Sequence, residues 1–270
     1  MPRASYSAKA EIAKLREELE RHNYLYYALD RPEISDSDYD AELRRLAELE
    51  AAHPELADPS SPTQRVGAQP SERFGKVRHN VPMLSLDNAM SRDEVEEFET
   101  RIRRFLNHTG PIEYVAEHKF DGVAVELVYE HAAFVAGSTR GDGTTGEDVT
   151  ANLKTIRSIP LRLRDCRPRL TTPRRLEIRG EVLLSKKAFL NINAQQVEKG
   201  EPEFMNPRNA TGGSLRQLDP RVTASRALEV FCHSSASLEG LDLSTHWEFL
   251  ELCRTLGLRT NPENRRCHSL

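Results

Sequence analysis

A chain of 270 residues with 38% hydrophobic residues carries enough apolar side chains for one large and one small core. It has no run near the roughly 18 apolar residues needed to span a bilayer, and its opening segment, MPRASYSAKAEIAKLREELE, lacks the apolar stretch of a signal peptide. A membrane-spanning chain is excluded on that basis, and the cytoplasm is the expected compartment. The net charge of −4 argues against a general nucleic-acid binder, because phosphate contacts need concentrated Lys and Arg. The average hides an asymmetry, however. Residues 11–58 are rich in Glu and Asp, whereas 162–179 carry Arg162, Arg164, Arg167, Arg169, Arg174, Arg175 and Arg179 against Asp165 and Glu177. Such a run is either a solvated surface or a face for a polyanion.

In chain order, Ile12, Leu15, Leu19 and Tyr26 recur at helical spacing until Arg31-Pro32 interrupts them. A second helix is expected to follow, with Ser35 and Asp38 spaced as a capping box, Tyr39, Leu43 and Leu46 as its apolar stripe and His53-Pro54 as its stop. From Asp58 to about Asn80 the chain is rich in Pro, Ser and Gln without periodicity and reads as a connection. The expected division is therefore a small helical domain at 1–66 and a larger one at 67–270.

After a helical segment at about 91–106, short β-rich runs appear. Tyr114 to Phe120, Val123 to Tyr129 and Ala133 to Ser138 read as antiparallel strands. Leu176 to Leu184 alternates strictly, Leu176, Ile178, Val182 and Leu184 on one side and Glu177, Arg179 and Glu181 on the other. Helices are expected at about 147–156, 185–198 and 245–256, the last with Thr245 and Glu248 placed as a capping box. Strands and helices do not alternate regularly, so the class is α+β. The cysteines Cys166, Cys232, Cys253 and Cys267 form no C-x-x-C pair and read as reduced, non-ligating thiols, with no zinc site.

The sharpest chemical feature is Glu117-His118-Lys119-Phe120-Asp121-Gly122. Period two along an extended strand puts Glu117 and Lys119 on one face, and Asp121-Gly122 turns the chain. Only a deprotonated lysine attacks phosphorus, which requires burial beside other cations. The alternative is an exposed lysine beside a hairpin turn. In Ser138-Thr139-Arg140-Gly141-Asp142-Gly143 the glycines let a ligand approach the backbone and Arg140 offers a planar charged donor. The same segment could be an ordinary loop leading to a helix capped near Thr145. Glu181 could accept a ribose hydroxyl or help hold Mg²⁺, or pair with Arg179. Arg208 and Arg216, spaced around small residues, suit backbone phosphate contact or a solvated loop.

Taken together, Met83 to Asn88, the Lys119 motif, Thr139 to Asn152, Arg179 to Val182 and Asn206 to Asp219 are similar, in order and spacing, to the adenylation domain of bacterial NAD-dependent DNA ligases. The resemblance covers nearly the whole chain. It implies a nucleotidyltransferase fold in which Lys119 attacks the α-phosphate of NAD and forms a lysine-AMP phosphoramidate. The AMP is then passed to the 5′-phosphate of nicked double-stranded DNA in replication and repair. It further implies that Glu117 reads the adenine amino group, that Ser85 and Leu86 contact the nucleotide, that Arg140 and Glu181 hold ribose and phosphate, that Asp121 orients the lysine, and that Arg208 and Arg216 touch DNA. Tyr26, Asp36, Tyr39 and Asp40, with Ser37 and Asp38 between them, match the residues that hold the nicotinamide mononucleotide half. Tyr27 stands where some members carry His. Mg²⁺, with Mn²⁺ as a substitute, is the implied metal, and a monomer is expected. Family members continue into a second D-G strand, a lysine-bearing strand, an OB fold, a four-cysteine zinc site, helix-hairpin-helix units and a BRCT domain, which this sequence does not contain. An incomplete pocket is therefore expected, and a catalytically silent NAD-binding module is the rival to an enzyme.

Overall fold

The computed structural model describes residues 3–27, 31, 33–66, 73–165 and 173–270. The N-terminal hairpin forms as the apolar spacing requires. Helices α1 (Arg3–Tyr27) and α2 (Asp36–Ala52) bury Ile12, Leu19 and Leu46 against Leu15, Tyr39, Leu43, Leu49 and Leu56. Ser35 caps α2 by accepting the Asp38 N–H, and His53 ends it. Tyr26 departs from the expected stripe: it is 43% exposed and lies outside this core. Pro32 is outside the described residues.

The presumed connection carries regular elements among its described residues. Two short 3₁₀ turns, Pro54–Leu56 and Pro62–Val66, precede strand β1 (Lys76–Arg78). From the second turn, Arg65 donates to the carbonyls of Lys154, Ile156 and Ile159 at 3.1, 3.2 and 3.1 Å. These bonds cap carbonyls at and just beyond a helix end and seat the hairpin on the larger body. Arg164 reinforces the junction by lying 4.2 Å from the Tyr24 ring centroid.

Helix α3 (Arg92–Leu106) starts on Ser91 and ends at Asn107 in a left-handed conformation. None of its residues is buried, and Phe105 is 89% exposed. Strand β2 (Tyr114–Ala116) is shorter than expected, stopping before Glu117. Its antiparallel partner is a C-terminal strand, Arg265–Cys267, which no sequence pattern announced. The central sheet comes next: β3 (Val123–Glu130), β4 (Ala133–Thr139), then β5 (Thr145–Glu147), which pairs with β1 instead of starting a helix. Helix α4 is confined to Thr150–Thr155, because Asp148 accepts the Thr150 N–H and the preceding residues are spent in the strand. Strand β6 (Arg175–Leu184), helix α5 (Lys186–Glu198), helices α6 (Pro207–Leu215) and α7 (Pro220–Ala224), strand β7 (Leu228–Leu238), helix α8 (His246–Thr255) and β8 (Arg265–Cys267) complete the body.

The four-stranded sheet runs β4-β3-β6-β7, antiparallel throughout. Its inner face carries Val125, Leu127 and Tyr129 of β3, Leu176, Ile178 and Val182 of β6 and Val230 and Cys232 of β7, packed with Leu153, Leu215 and Leu250. The alternation read from 176–184 is realised, and the class is α+β. The opposite face is less wet than the pattern suggested. Glu177 is 1% exposed and accepts from Asn80 at 2.6 Å, His79 meets Glu126 at 3.1 Å, and Arg179 reaches the Val81 carbonyl, so residues 79–81 roof it. Cys232, Cys253 and Cys267 are free thiols, and Cys166 lies outside the described residues. Among the described residues no helix is long and apolar enough to cross a membrane.

At the domain junction, burial lifts the Glu20 carboxyl from its ordinary 4.5 to about 7, against the pull of Arg162, Arg65 and Arg16. The folded chain therefore holds a proton that the unfolded chain releases near 4.5. Stability is greatest below that pH and falls as pH rises towards 7. Glu20→Gln is expected to exceed the parent by roughly 2 kcal/mol at pH 8, with the advantage gone at pH 4. Urea melts at the two pH values check this, and equal midpoints at pH 8 would refute it.

Candidate adenylation site

Lys119 sits in the connection between β2 and β3, on a stretch that stacks Phe120 on Phe231 of β7 at 4.6 Å between centroids. The turn that follows rests on β6. A Cβ on Gly122 would lie 2.0 Å from the Val182 carbonyl oxygen, so only glycine permits this approach. In return the Gly122 N–H donates to Glu181 Oε1 at 3.0 Å. Glu181 is half-buried, and its carboxyl is raised by desolvation, against which the Gly122 N–H and the charges of Arg208, Lys119 and Arg140 pull downward. Three cationic charges therefore act on this carboxylate, whose hydrogen-bond partner is the Gly122 N–H.

Each cation is placed by a separate element. Arg140 follows β4, its own N–H donating to the Ala124 carbonyl at 2.9 Å, and its guanidinium is 3.4 Å from Ser85 Oγ. The glycine loop behind it is a built turn. Asp142 accepts from the N–H groups of Thr145 and Thr144 at 2.7 and 2.8 Å, which holds its carboxyl below its usual range. Gly141 and Gly143 take positive φ, and Met83 donates to the Gly143 carbonyl at 2.8 Å. The segment carrying Ser85 and Leu86 is thereby tied to the loop carrying Arg140. Arg208, from the first turn of α6, donates to Asp121 at 2.8 Å. Asp121 therefore faces Arg208 through one carboxylate oxygen.

Glu117 is held from the C-terminal side. His246 Nε2 is 2.5 Å from one carboxylate oxygen and Asn264 Nδ2 donates to the other at 2.9 Å. His233 of β7 is close enough to feel both Glu117 and Lys119. Burial is the largest influence on its imidazole and lowers it, opposed by Glu117 and reinforced by His246, Arg179 and Lys119. His233, His246 and Asn264 escape sequence reading because they belong to no motif. The pairing of β7 with β6 brings in His233, the start of α8 carries His246, and the pairing of β8 with β2 brings in Asn264 just before it. The alternation of Val230 and Cys232, buried inward, against Phe231 and His233 was the available signal.

One expectation needs correction. Lys119 is exposed, not buried. The strand expected to carry it inward ends at Ala116, so the amine stands at an open rim. Arg216 lies 3.6 Å from Glu147. Ser85 and Leu86 are exposed, Leu86 at 79%.

On the hairpin, Ser37 bonds Ser35 at 2.7 Å, Asp38 serves the helix cap, and Asp40 is exposed. Tyr39 packs in the small core with the Arg157 guanidinium 5.9 Å from its ring centroid. The side chains of Asp36 and Tyr27 lie outside the described residues.

Comparison with known proteins settles the lineage. Residues 71–270 match the family model described as the NAD-dependent DNA ligase adenylation domain, and residues 5–67 match the DNA ligase-like, N-terminal NAD+-binding domain. The chain belongs to the NAD-dependent DNA ligase family. It is 53% identical over 258 residues to a DNA ligase of Geobacter sulfurreducens, aligning 95% of this chain with 38% of that protein. To a DNA ligase of Anoxybacillus flavithermus it is 48% identical over 267 residues, 99% of this chain and 38% of the relative. The chain thus spans less than two fifths of the length of these relatives.

Proposed function

We propose that this chain binds NAD and takes up its AMP on Lys119, as the nucleotide-charging part of a DNA ligase. The observation that carries this reading is the tight Asp121-Gly122 turn directly after Lys119, which bonds Glu181 through the Gly122 N–H and Arg208 through Asp121, with the charges of Lys119, Arg140 and Arg208 acting on Glu181. In the reaction, the Lys119 amine attacks the α-phosphorus of NAD. A P–N bond forms, the P–O bond to nicotinamide mononucleotide breaks, the leaving phosphate takes the electron pair, and the amine gives up a proton. Arg140 offsets charge on the α-phosphate oxygens and Glu181 accepts from ribose or balances the lysine. Because Lys119 is exposed, its desolvation comes from the nucleotide covering it. Glu117, fixed through both oxygens, reads the adenine edge. Ser85 and Leu86 flank the nucleotide, and Asp121, bonded to Arg208, orients the lysine.

Division at 66/67 assigns the hairpin to the nicotinamide mononucleotide half, with Tyr26 and Asp36 to Asp40 as its contacts. The separate apolar cluster of α1 and α2 supports that division. Among the described residues no group of three His, Cys, Asp or Glu side chains forms a metal cage. Mg²⁺ would therefore arrive on the NAD phosphates, with Glu181 as a protein carboxylate in reach. Nicked double-stranded DNA is the partner, Arg208 and Arg216 touching its backbone, in a cytoplasmic monomer serving replication and repair.

A second reading, a silent NAD-binding module, draws on the exposure of Lys119. Incubation with Mg²⁺ and either NAD or ATP, followed by intact-mass measurement, separates the two. An AMP adduct from NAD and none from ATP is expected. Saturable NAD binding without an adduct would establish the silent module.

A further inference from the structure

Under the glycine loop two ionisable side chains are buried against each other, and neither has a part in the AMP transfer described for Lys119. His79, directly after β1, has no exposed side-chain surface, and Glu126 of β3 is buried beside it. His79 Nδ1 stands 3.1 Å from Glu126 Oε2, and Nε2 stands 3.2 Å from the carbonyl oxygen of Arg140. Arg179 Nε lies 3.6 Å from the other oxygen of Glu126.

We propose that His79 is a positioning residue for AMP transfer, holding the Arg140 main chain through its ring Nε2–H while Glu126 fixes the ring. The inference rests on the reading of Arg140 as a contact of the NAD α-phosphate.

The ring's role follows from its partners. A carbonyl oxygen can only accept, so Nε2 carries a hydrogen and donates it to Arg140. Nδ1 faces a carboxyl group in a place closed to water, where such a bond is strong and sets the plane of the ring. The main chain of the same residue adds a second grip, since the His79 N–H donates to the Thr144 carbonyl at 2.9 Å. Both ends of the loop from Arg140 to Thr144 are thereby held by one histidine. Arg140 itself is tied on both sides of its Cα: its N–H donates to the Ala124 carbonyl at 2.9 Å, and its carbonyl also accepts the Gly143 N–H at 3.0 Å. The guanidinium ends in a 3.4 Å contact with Ser85 Oγ, so the root of the side chain decides where its charge is presented. There is little slack around the ring, because a Cβ on Gly146 would come within 3.2 Å of Nε2. A shift of about 1 Å at Arg140 is enough to slow the reaction without removing any group that touches NAD.

His79→Gln and His79→Asn form the test pair. Gln places an amide N–H near the position of Nε2 and reaches the Arg140 carbonyl. Asn places one near Nδ1, keeps Glu126 paired and so protects folding, but falls short of the loop. The rate of AMP uptake at saturating NAD is read by intact mass and NAD affinity by calorimetry. His79→Asn should slow uptake about tenfold with affinity within about threefold of the parent, and His79→Gln should stay within about threefold in both. In an Arg140→Ala background, His79→Asn should slow uptake by less than about twofold further, since there is no guanidinium left to misplace. Equal losses in Asn and Gln, a parental rate in Asn, or an undiminished tenfold loss in the Arg140→Ala background would each overturn the proposal. A parent chain that takes up no AMP would instead sink the reading of Lys119. Amide exchange then decides the clamp alone: faster exchange at Gly143 and Thr145 in Asn but not in Gln supports it, and equal exchange in the two overturns it.

Discussion

Lys119→Ala should lower AMP transfer from NAD by roughly a thousandfold or more while leaving NAD affinity within about tenfold of the parent. The split follows from geometry. Lys119 stands at an exposed rim and supplies none of the contacts that fix Glu117, Arg140 or Glu181. Removing it takes away the nucleophile and leaves the rest of the cleft in place. Lys119→Arg is expected to be equally inert, because a guanidinium stays charged and does not attack phosphorus. Calorimetry with NAD together with intact-mass measurement reads both quantities. A persistent adduct in either variant would show that a different group is charged, and a collapse of NAD affinity would show that the lysine holds the nucleotide.

The second large effect lies away from the cleft. Asn152 is 2% exposed, and its Nδ2, with two protons, lies within hydrogen-bond distance of three acceptors: the Leu215 carbonyl at 2.9 Å, the Gln217 carbonyl at 2.7 Å and Thr223 Oγ1 at 2.9 Å. One amide therefore ties α4 to the junction of α6 and α7. Asn152→Ala should cost about 3 kcal/mol, since it leaves buried acceptors without a donor. Denaturant unfolding would show it as a lower midpoint at unchanged slope. Because Arg216 caps the end of α6, a milder consequence is displacement of that residue. A loss below about 0.5 kcal/mol would mean that water replaces the amide.

How far the residues announced this fold depends on whether the signal was local. The capping pairs at Ser35 and Thr245 and the alternation through 176–184 are local, and they appear as helix starts and a half-buried strand. The short strands were invisible for a physical reason. β1, β5 and β8 have three residues each, too few to show a period, and they exist because a distant partner supplies their hydrogen bonds. Reading Thr145 as a helix cap failed on that point, since pairing with Arg78 outweighed local capping. For the site, Lys119, Arg140, Glu181 and Arg208 were nameable from sequence because each stands in a tight turn, a strand or a helix start with distinctive chemistry. Their convergence on Glu181 was not, nor was the exposure of the lysine. The pairing of His246 and Asn264 with Glu117 spans 129 and 147 residues, and no pattern short of the tertiary structure carries it.

Peptide mapping after incubation with NAD and Mg²⁺ bears most directly on the claim that a single amine accepts the nucleotide. The proteolytic peptide spanning Glu117 to Gly122 should carry one AMP, joined through a P–N bond that acid releases, with nicotinamide mononucleotide appearing in equal amount. An AMP found on any other peptide, or nucleotide release with residue 119 unmodified, would contradict it.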